Sequence, residues 1–432
     1  MTDMNYNKAI DYIETAGLLG SKPGLSRITE LCRRLGNPQE KIKYVHIAGT
    51  NGKGSVCAML NEILISSGYK TGLFTSPHLI SFRERIKING APIPKERLAE
   101  ITEKIKQCAN DMPDKPTEFE IATAAAFMYF YEEKCDIAVL ETGLGGRLDA
   151  TNIIKSPLLS VITGISLDHT AILGDSIEKI AAEKGGIIKE NCPLVLAACK
   201  PEANSVIENI AKERRSPLFK VDYSRQGNIS VSLGGTAFDF APYGKINLSI
   251  IGVCQAKNAA TAITAAEVLN SIGIKTGEKP LLKGLKNTRW QARFEILNQN
   301  PLIIYDGAHN SEGAAALKEN LLAAGINKAV FLTGVMADKD YTGMVNILSP
   351  LAQCVFTVTP HNPRALDAQT LKDTFCALGV PAMAFDTVDN GVLPAINAAK
   401  KENLPLVICG SLYMYGELKT RLADFLKGRW TK

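Results

Sequence analysis

"HIAGTNGKGSVCAML", from His46 to Leu60, passes from a β-like segment through a glycine-rich turn into a helix-like segment, and the fold turns on how it is read. The usual phosphate-binding loop, G-x-x-x-x-G-K-[ST], opens on a glycine and follows its lysine with a magnesium-binding hydroxyl. Here Ile47 stands where the first glycine belongs and Gly54 where the hydroxyl belongs. The other parts are present: Gly49 and Gly52 permit a tight turn, Lys53 offers a point charge to phosphate oxygens, and Ser55 can donate one residue further on. A turn of this kind between strand and helix aims backbone N–H groups and a helix N-terminus at an anion. The stretch therefore predicts an ATP site built from Thr50, Asn51, Gly52, Lys53, Gly54 and Ser55. An ordinary strand-to-helix turn is the alternative, and it leaves the convergence of Thr, Asn, Gly, Lys and Ser without a task.

Outward from this loop, apolar strand-like runs alternate with helix-like segments: "KYVHIAG", "TGLFTS", "DIAVLETG", "LLSVITGI" and "CPLVLAAC" are each separated by amphipathic stretches. That alternation predicts a mainly parallel α/β sheet. Between about Val221 and Ile251 the texture changes to short alternating runs with Gly and Asn, which predicts a small antiparallel patch within the first domain. A second α/β series follows in "KAVFLTGV", "QCVFTVTP" and "LPLVICG". The expected fold class is α/β, with an N-terminal P-loop-type sheet domain over residues 1–297 and a smaller Rossmann-like domain over 301–432. The boundary is expected at Asn298 to Asn300.

Composition narrows the function classes. The chain has 432 residues, 46% hydrophobic and 22% charged, enough to bury a large core in two or three domains. A net charge of +5 with no dense Lys/Arg cluster argues against a nucleic-acid or membrane partner and suits small anionic ligands. The ten cysteines include no C-x-x-C pair and lie in strand-like flanks, as expected of reduced thiols in a cytoplasmic protein. The polar, amphipathic start "MTDMNYNKAIDYIE" predicts neither a signal peptide nor a membrane span.

Because Gly54 cannot hold a metal, oxygen or imidazole ligands are expected at neighbouring strand ends. Three stretches qualify: "LFTSPHLISFRERI" with Ser76 and His78, "VLETGLGGRLDATN" with Glu141 and Asp149, and "ITGISLDHTAILG" with Asp168 and His169. Any one of these residues alone would read as a turn cap or a satisfied polar contact. Together they point at one crevice.

"HIAGTNGKGSV", "TSPHL", "ETGLGGRLDATN", "LDHTAILGDSIEKIAAEKGGIIK", "YDGAHN" and "GSLYMYGE" resemble the folylpolyglutamate synthases of the Mur ligase superfamily, nearly end to end. The resemblance implies an ATP-dependent ligase joining L-glutamate to folates, with dihydropteroate as a second acceptor in many bacterial members. It also implies two magnesium ions, the first on Ser76 and Glu141 and the second on His169, with Lys184 carbamylated. Gln255 and Asn258 of "CQAKNAATA" would contact adenine. Arg293 and Asp306 would complete the nucleotide site, although Ala292 replaces the family's usual glycine before the arginine. His309, Ser411 and Tyr413 would serve glutamate and catalysis, with Lys339 and Asp340 as further candidates. Phe119 would stack on the pterin beside the loop from Gly24 to Arg27, unless it is simply a core residue. Members of the family are often monomers.

The chemistry implied is phosphoryl transfer from ATP to a carboxylate, then attack of the glutamate amine on the acyl phosphate. Without the resemblance, Lys184 would read as a solvated helix lysine. Two rivals share parts of the pattern. A peptidoglycan-precursor ligase would carry a UDP-binding domain ahead of the glycine loop, which here starts only about 48 residues in, too few for a domain. A nucleotide-driven switch protein would hydrolyse ATP with no use for glutamate.

Overall fold

The computed structural model describes residues 4–17, 20 and 23–426. The chain divides into two compact units: one comprises 1–226, 240–243 and 257–288, the other 227–239, 244–256 and 289–432.

The first unit is built on eight strands: β1 (Lys43–Ala48), β2 (Thr71–Phe74), β3 (Ile86–Ile88), β4 (Ala91–Pro92), β5 (Ile137–Glu141), β6 (Leu159–Ile162), β7 (Leu194–Leu196) and β8 (Leu218–Lys220), in the order β4-β3-β2-β5-β1-β6-β7-β8. From β2 to β8 every pairing is parallel, and β3 and β4 close one edge antiparallel. The central strands are buried on both faces, which explains why they read as unbroken apolar runs rather than alternating ones. The helix Glu118–Glu132 is apolar almost all round and correspondingly buried. Its start is fixed by a capping box in which the Thr117 side chain accepts from the Glu120 N–H while the Glu120 carboxylate accepts from the Thr117 N–H. Glu120 also pairs at 3.1 Å with the buried Arg27, so the cap is anchored to the helix Ser26–Arg34.

The antiparallel patch is a three-stranded sheet, β9 (Gln226–Ser232), β10 (Gly235–Phe240) and β11 (Gly244–Leu248), in the order β11-β10-β9. It was expected within the first domain, yet most of it groups with the second unit. The reason is burial: Ile251 and Val231 join the apolar core of the second unit, and the Val253 N–H just beyond donates at 2.9 Å to Asn320.

The second unit holds β12 (Glu295–Gln299), β13 (Leu302–Tyr305), β14 (Ala329–Thr333), β15 (Ala352–Val358), β16 (Ala382–Phe385) and β17 (Leu406–Cys409), ordered β12-β13-β17-β14-β15-β16. All are parallel except β12, which pairs antiparallel with β13. The turn from Asn298 to Asn300, expected as a domain boundary, joins this hairpin, and the grouping of the chain changes at Arg289 instead. No helix among the described residues is long and apolar enough to cross a membrane.

Candidate active site

Register aligns the carboxyl ends of four adjacent strands. Ile47 of β1 lies opposite Glu141 of β5, Ala48 opposite Ile162 of β6, and Phe74 of β2 opposite Leu140. The residues that follow, Gly49, Thr142, Thr163 and Thr75, therefore emerge at one edge of the sheet, where open α/β sheets bind ligands. The glycine loop crosses this edge from β1 to the helix Lys53–Ser66, which starts after Gly52 in the left-handed region at φ 85°.

The loop is stitched to the segment after β6. The Thr50 N–H donates to the Gly164 carbonyl at 2.7 Å, the Thr50 hydroxyl donates to the Ser166 carbonyl and accepts the Ser166 N–H, both at 3.1 Å, and the Thr163 hydroxyl donates to the Asn51 carbonyl at 2.8 Å. A β-carbon on Gly49 would sit 1.8 Å from Thr163 Oγ1, so glycine is required there by contact. One on Gly52 would sit 2.5 Å from Asn258 Oδ1, which places Asn258 against the loop. Thr163 is a loop-shaping residue that pattern reading passed over, since a lone threonine at a strand end carries no motif.

Two lysines converge on a single acceptor. Lys53 Nζ donates to the Gly49 carbonyl at 3.0 Å and to that of Thr50 at 3.1 Å, and Lys184 Nζ donates to the same Gly49 carbonyl at 2.8 Å. Lys184 is only 4% exposed. Burial, reinforced by the neighbouring Lys53 charge and opposed by Asp168 and Asp149, pulls its pKa down to about 7. It is therefore no solvated helix lysine but an amine that is substantially neutral at physiological pH. Its helix, Ile177–Gly185, is docked on the glycine-rich segment after β5: Arg147 N–H donates to the Glu183 carbonyl at 2.7 Å, and a β-carbon on Gly186 would meet Arg147 Cα at 2.4 Å.

Of the expected metal ligands, Ser76 and Glu141 are brought together. The Ser76 N–H donates at 3.1 Å to Glu141 Oε2, and the Glu141 side chain is buried. His169 lies on the loop after β6, capping the short helix Thr170–Leu173 in the left-handed region, and its backbone N–H donates to Asp168. His78 accepts at Nδ1 from Arg85 Nε at 2.9 Å, and burial with the Arg85 charge lowers its pKa to about 4. Asp149 serves the loop itself: its carboxylate accepts the N–H groups of Gly143, Leu144 and Thr151 and the Thr151 hydroxyl, which contacts His46 Nε2 at 2.8 Å. No cluster of three or more His, Cys, Asp or Glu groups suited to a metal occurs among the described residues. One carboxylate and one hydroxyl nonetheless suit magnesium, which takes few protein ligands and completes its shell with phosphate oxygens and water.

Phe119 is partly buried, tilted against Phe74 at 5.7 Å, and a β-carbon on Gly143 would reach within 2.5 Å of its ring. It is at once an edge of the core and a wall beside the segment after β5.

The second unit gathers its candidates at the carboxyl ends of β13 and β17. Asp306 follows β13, nearly buried, and accepts the N–H groups of Phe294 and Ala308, each at 2.8 Å; burial raises its pKa against the opposing pull of Arg293. Arg293 Nη1 would lie 2.4 Å from a β-carbon on Gly307 and donates to the Ala292 carbonyl at 3.0 Å. His309 Nδ1 lies 2.8 Å from the Gly307 carbonyl, which can only accept, so that nitrogen carries the proton. Buried Ser411 accepts the Tyr413 N–H, and its carbonyl accepts the Tyr305 hydroxyl at 2.5 Å. Tyr413 is exposed, its hydroxyl 3.4 Å from Arg364. Asp340 caps the helix Tyr341–Leu348 and accepts from Ser311, a structural use that accounts for its carboxylate; Lys339 precedes it. Gln255 is buried at the start of the helix Val253–Ser271.

Ala292 adopts φ 56° with its methyl buried. A left-handed alanine costs about 1–2 kcal/mol, while Ala292→Gly loses a methyl worth about 0.8 kcal/mol and loosens the unfolded chain by roughly 0.5–1 kcal/mol. These offset, so Ala292→Gly is expected to change Tm by no more than about 2–4 °C in a thermal melt. Ala292→Val is expected to lower Tm clearly further, because a β-branched residue fits that region worst.

A lysine-bearing glycine loop at the carboxyl edge of a parallel sheet, beside a carboxylate and a hydroxyl on neighbouring strand ends, defines a nucleotide-binding α/β protein. Residues 47–266 match the Mur ligase middle domain and residues 292–412 the Mur ligase glutamate ligase domain. The dihydrofolate synthase/folylpolyglutamate synthase of Bacillus subtilis is 38% identical over 96% of this chain and 99% of its own length. Mycobacterium tuberculosis folylpolyglutamate synthase, solved with ADP and AMPPCP, superposes with a TM-score of 0.88 at 29% identity, covering 99% of this chain and 100% of that one. The FolC protein of Escherichia coli, solved with DHPP and ADP, gives 0.82 at 31% identity, covering 98% of both chains. The chain belongs to the folylpolyglutamate synthase/dihydrofolate synthase family of Mur ligases.

Proposed function

We propose that the protein is an ATP-dependent ligase that adds L-glutamate to folates and also joins it to dihydropteroate. The observation that carries this reading is the pair of lysine amines meeting on the Gly49 carbonyl at the head of the glycine loop. Lys53 is positioned to meet the β- and γ-phosphates of ATP, with the loop N–H groups and Ser55 around them. A carboxylate oxygen of the pterin substrate attacks the γ-phosphorus, the bond to the β-phosphate oxygen breaks, and ADP leaves. The glutamate amine then attacks the acyl carbon, phosphate departs, and the ammonium loses a proton to give the amide.

Ser76 and Glu141 would hold one magnesium ion and His169 would contribute to a second, and the metal would supply charge stabilisation to the transferring phosphoryl group. The neutral amine of Lys184 can react with carbon dioxide, forming an N–C bond and releasing a proton. The resulting carbamate keeps one N–H, which can still donate to Gly49, and presents anionic oxygens where the free lysine presented an amine. Phe119 offers a face for the pterin. In the second unit, Arg293 and Asp306 serve the nucleotide, and His309, Ser411 and Tyr413 serve glutamate. The protein works as a monomer in the cytoplasm on small molecules, without nucleic acid or membrane.

Incubating the protein with MgATP, glutamate and either dihydropteroate or tetrahydrofolate, and reading product masses, tests the proposal. A mass gain of one glutamyl residue is expected with each acceptor, and ATP hydrolysis indifferent to glutamate would refute it. Glu141→Ala and Ser76→Ala are expected to raise the magnesium concentration for half-maximal activity, Glu141→Ala by roughly 10–100-fold and Ser76→Ala by less because only a neutral ligand is lost. A magnesium titration unchanged in both variants would count against this site.

A further inference from the structure

His46 interrupts the apolar run of the central strand β1 and takes no part in the ligation steps above. It is 0% exposed, and burial with the Lys189 charge nearby lowers its pKa to about 3, so the ring is neutral across the working range. A buried polar ring needs a partner, and its Nε2 meets the Thr151 hydroxyl at 2.8 Å. Thr151 is equally buried, on the single turn Ala150–Ile153 that Asp149 caps.

Chemistry fixes the direction of these bonds. Thr151 Oγ1 lies 2.5 Å from Asp149 Oδ1, and a carboxylate that already takes the N–H groups of Gly143, Leu144 and Thr151 can only accept. The hydroxyl proton therefore points at Asp149, and the hydroxyl oxygen is left to accept from His46. The ring proton is thus on Nε2, and Nδ1, which has no hydrogen-bond partner, is bare. The chain from His46 N–H to Thr151 O–H to the Asp149 carboxylate runs one way, each bond polarising the next.

Asp149 shapes the segment after β5. Its Oδ2 gathers the Gly143 and Leu144 N–H groups, and its own N–H donates to the Gly146 carbonyl at 3.2 Å. Gly143 abuts the Phe119 ring, and a β-carbon on Gly146 would lie 2.8 Å from the Glu183 carbonyl oxygen and 2.9 Å from that of Lys184. Burial pushes the Asp149 pKa up, and the Thr151 hydroxyl leads the groups that oppose it. The glycine loop has separate ties, through Thr50, Asn51 and Thr163, to the segment after β6.

We propose that His46 is a positioning residue: through Thr151 it orients the Asp149 carboxylate, which sets the segment 143–147 against Phe119 and the Lys184 helix. The hydrogen-bond chain rests on the geometry alone, while its effect on rate rests on the ligase reading.

Four variants test this. His46→Met and Thr151→Val delete the polar link and nearly keep the size, whereas His46→Gln and Thr151→Ser retain an N–H or O–H at similar reach. Each deletion is expected to lower kcat for ligation by about tenfold or more, the scale of one hydrogen bond to a charged group, and each retaining variant to recover most of it. ADP affinity, measured by calorimetry without magnesium, is expected to stay within about twofold in all four, as for groups with no shared partner. His46→Met/Thr151→Val is expected to be no slower than Thr151→Val, because the chain is broken only once. A role in core shape alone predicts that Met is tolerated at least as well as Gln. That order, multiplied losses in the double variant, or ADP affinity falling in step with rate overturns the proposal.

Two readings need no product. In the unmodified chain labelled with 15N-histidine, one ring of the five is fully buried and the other four are at least partly exposed. The ring shielded from solvent exchange is expected to stay in the neutral Nε2–H form from about pH 5 to about 8, and an Nδ1–H form or a titrating ring overturns the chain. Amide exchange at 143–144 is expected to quicken in His46→Met and not in His46→Gln, with 49–55 unchanged, and equal exchange in the two variants overturns the positioning role. Absence of ligation by the unmodified chain with both signatures intact would instead refute the ligase reading and leave the positioning role standing.

Discussion

Lys184→Ala is expected to lose at least roughly 10²–10³-fold in ligation rate, the scale of removing one preorganised electrostatic group from a phosphoryl or acyl transfer site. Acetate is expected to restore part of that rate, because it can supply the anionic oxygens that a carbamate would have held. Lys184→Arg is expected to be inactive and beyond rescue, since its guanidinium stays charged, forms no carbamate and fills the space. The readout is ligation with acetate against chloride at equal ionic strength, and full activity of unrescued Lys184→Ala would refute the role. Intact mass is a poor substitute, because carbamates are lost on acidification.

The same residue fixes a pH dependence. Carbamate formation needs the neutral amine, and with a pKa of about 7 that form is half-populated near neutrality; one unit lower, only about a tenth remains. Activation by added bicarbonate is therefore expected to grow as pH rises through 7. Stability moves in the same direction. The unfolded lysine stays protonated up to its ordinary value of 10.5 while the folded one has already released its proton. Between those two values the unfolded state binds more protons, so in the uncarbamylated protein this group's destabilisation is full below about 7 and fades as pH rises toward 10.5.

Lys53→Ala is expected to abolish ligation, by about 10³-fold or more on the scale of losing a phosphate-directed charge, with the fold intact. Half-buried Lys53 holds only the two carbonyls of its own loop, and the helix behind it is secured by apolar burial from Val56 to Leu64. Lys184 is the neighbouring amine, but its Nζ is buried on the Gly49 carbonyl, which leaves it out of position to replace the lost charge. Product formation at the unmodified rate by a Lys53→Ala protein with an unchanged thermal melt would sink the assignment of this loop to ATP. Because Lys53 also depresses the Lys184 pKa, its removal is expected to raise that pKa, which a shifted bicarbonate response would register.

The local features were legible because local chemistry dictates them. A glycine turn between an apolar run and a helix, a proline-flanked serine at one strand end and a glutamate at another are written in adjacent residues. Parallel strands buried on both faces announce themselves as continuous apolar runs, so β1, β2, β5, β6 and β7 all fall where the pattern placed them. The antiparallel strands from β9 to β11 were equally visible as alternation. Which core they joined was not, because their own sequence does not name the residues that bury Ile251 and Val231. The turn at Asn298 to Asn300 likewise looked like a linker, since the pairing that makes it a hairpin lies in β13 beyond it.

Sequence by itself determined the α/β class, the glycine loop and the strand ends that flank it, since each follows from the propensity and polarity of a few consecutive residues. Only the tertiary structure decided what the side chains at those places experience. Lys184 looks like any helix lysine until its Nζ is seen buried on the Gly49 carbonyl beside Lys53. Asp149 looks like a metal ligand until its oxygens are seen filled by four donors of its own loop. Burial and like-charge proximity set a pKa, and hydrogen-bond saturation removes a ligand from play. Both depend on groups far apart in the chain, which is why no reading of adjacent residues could supply them.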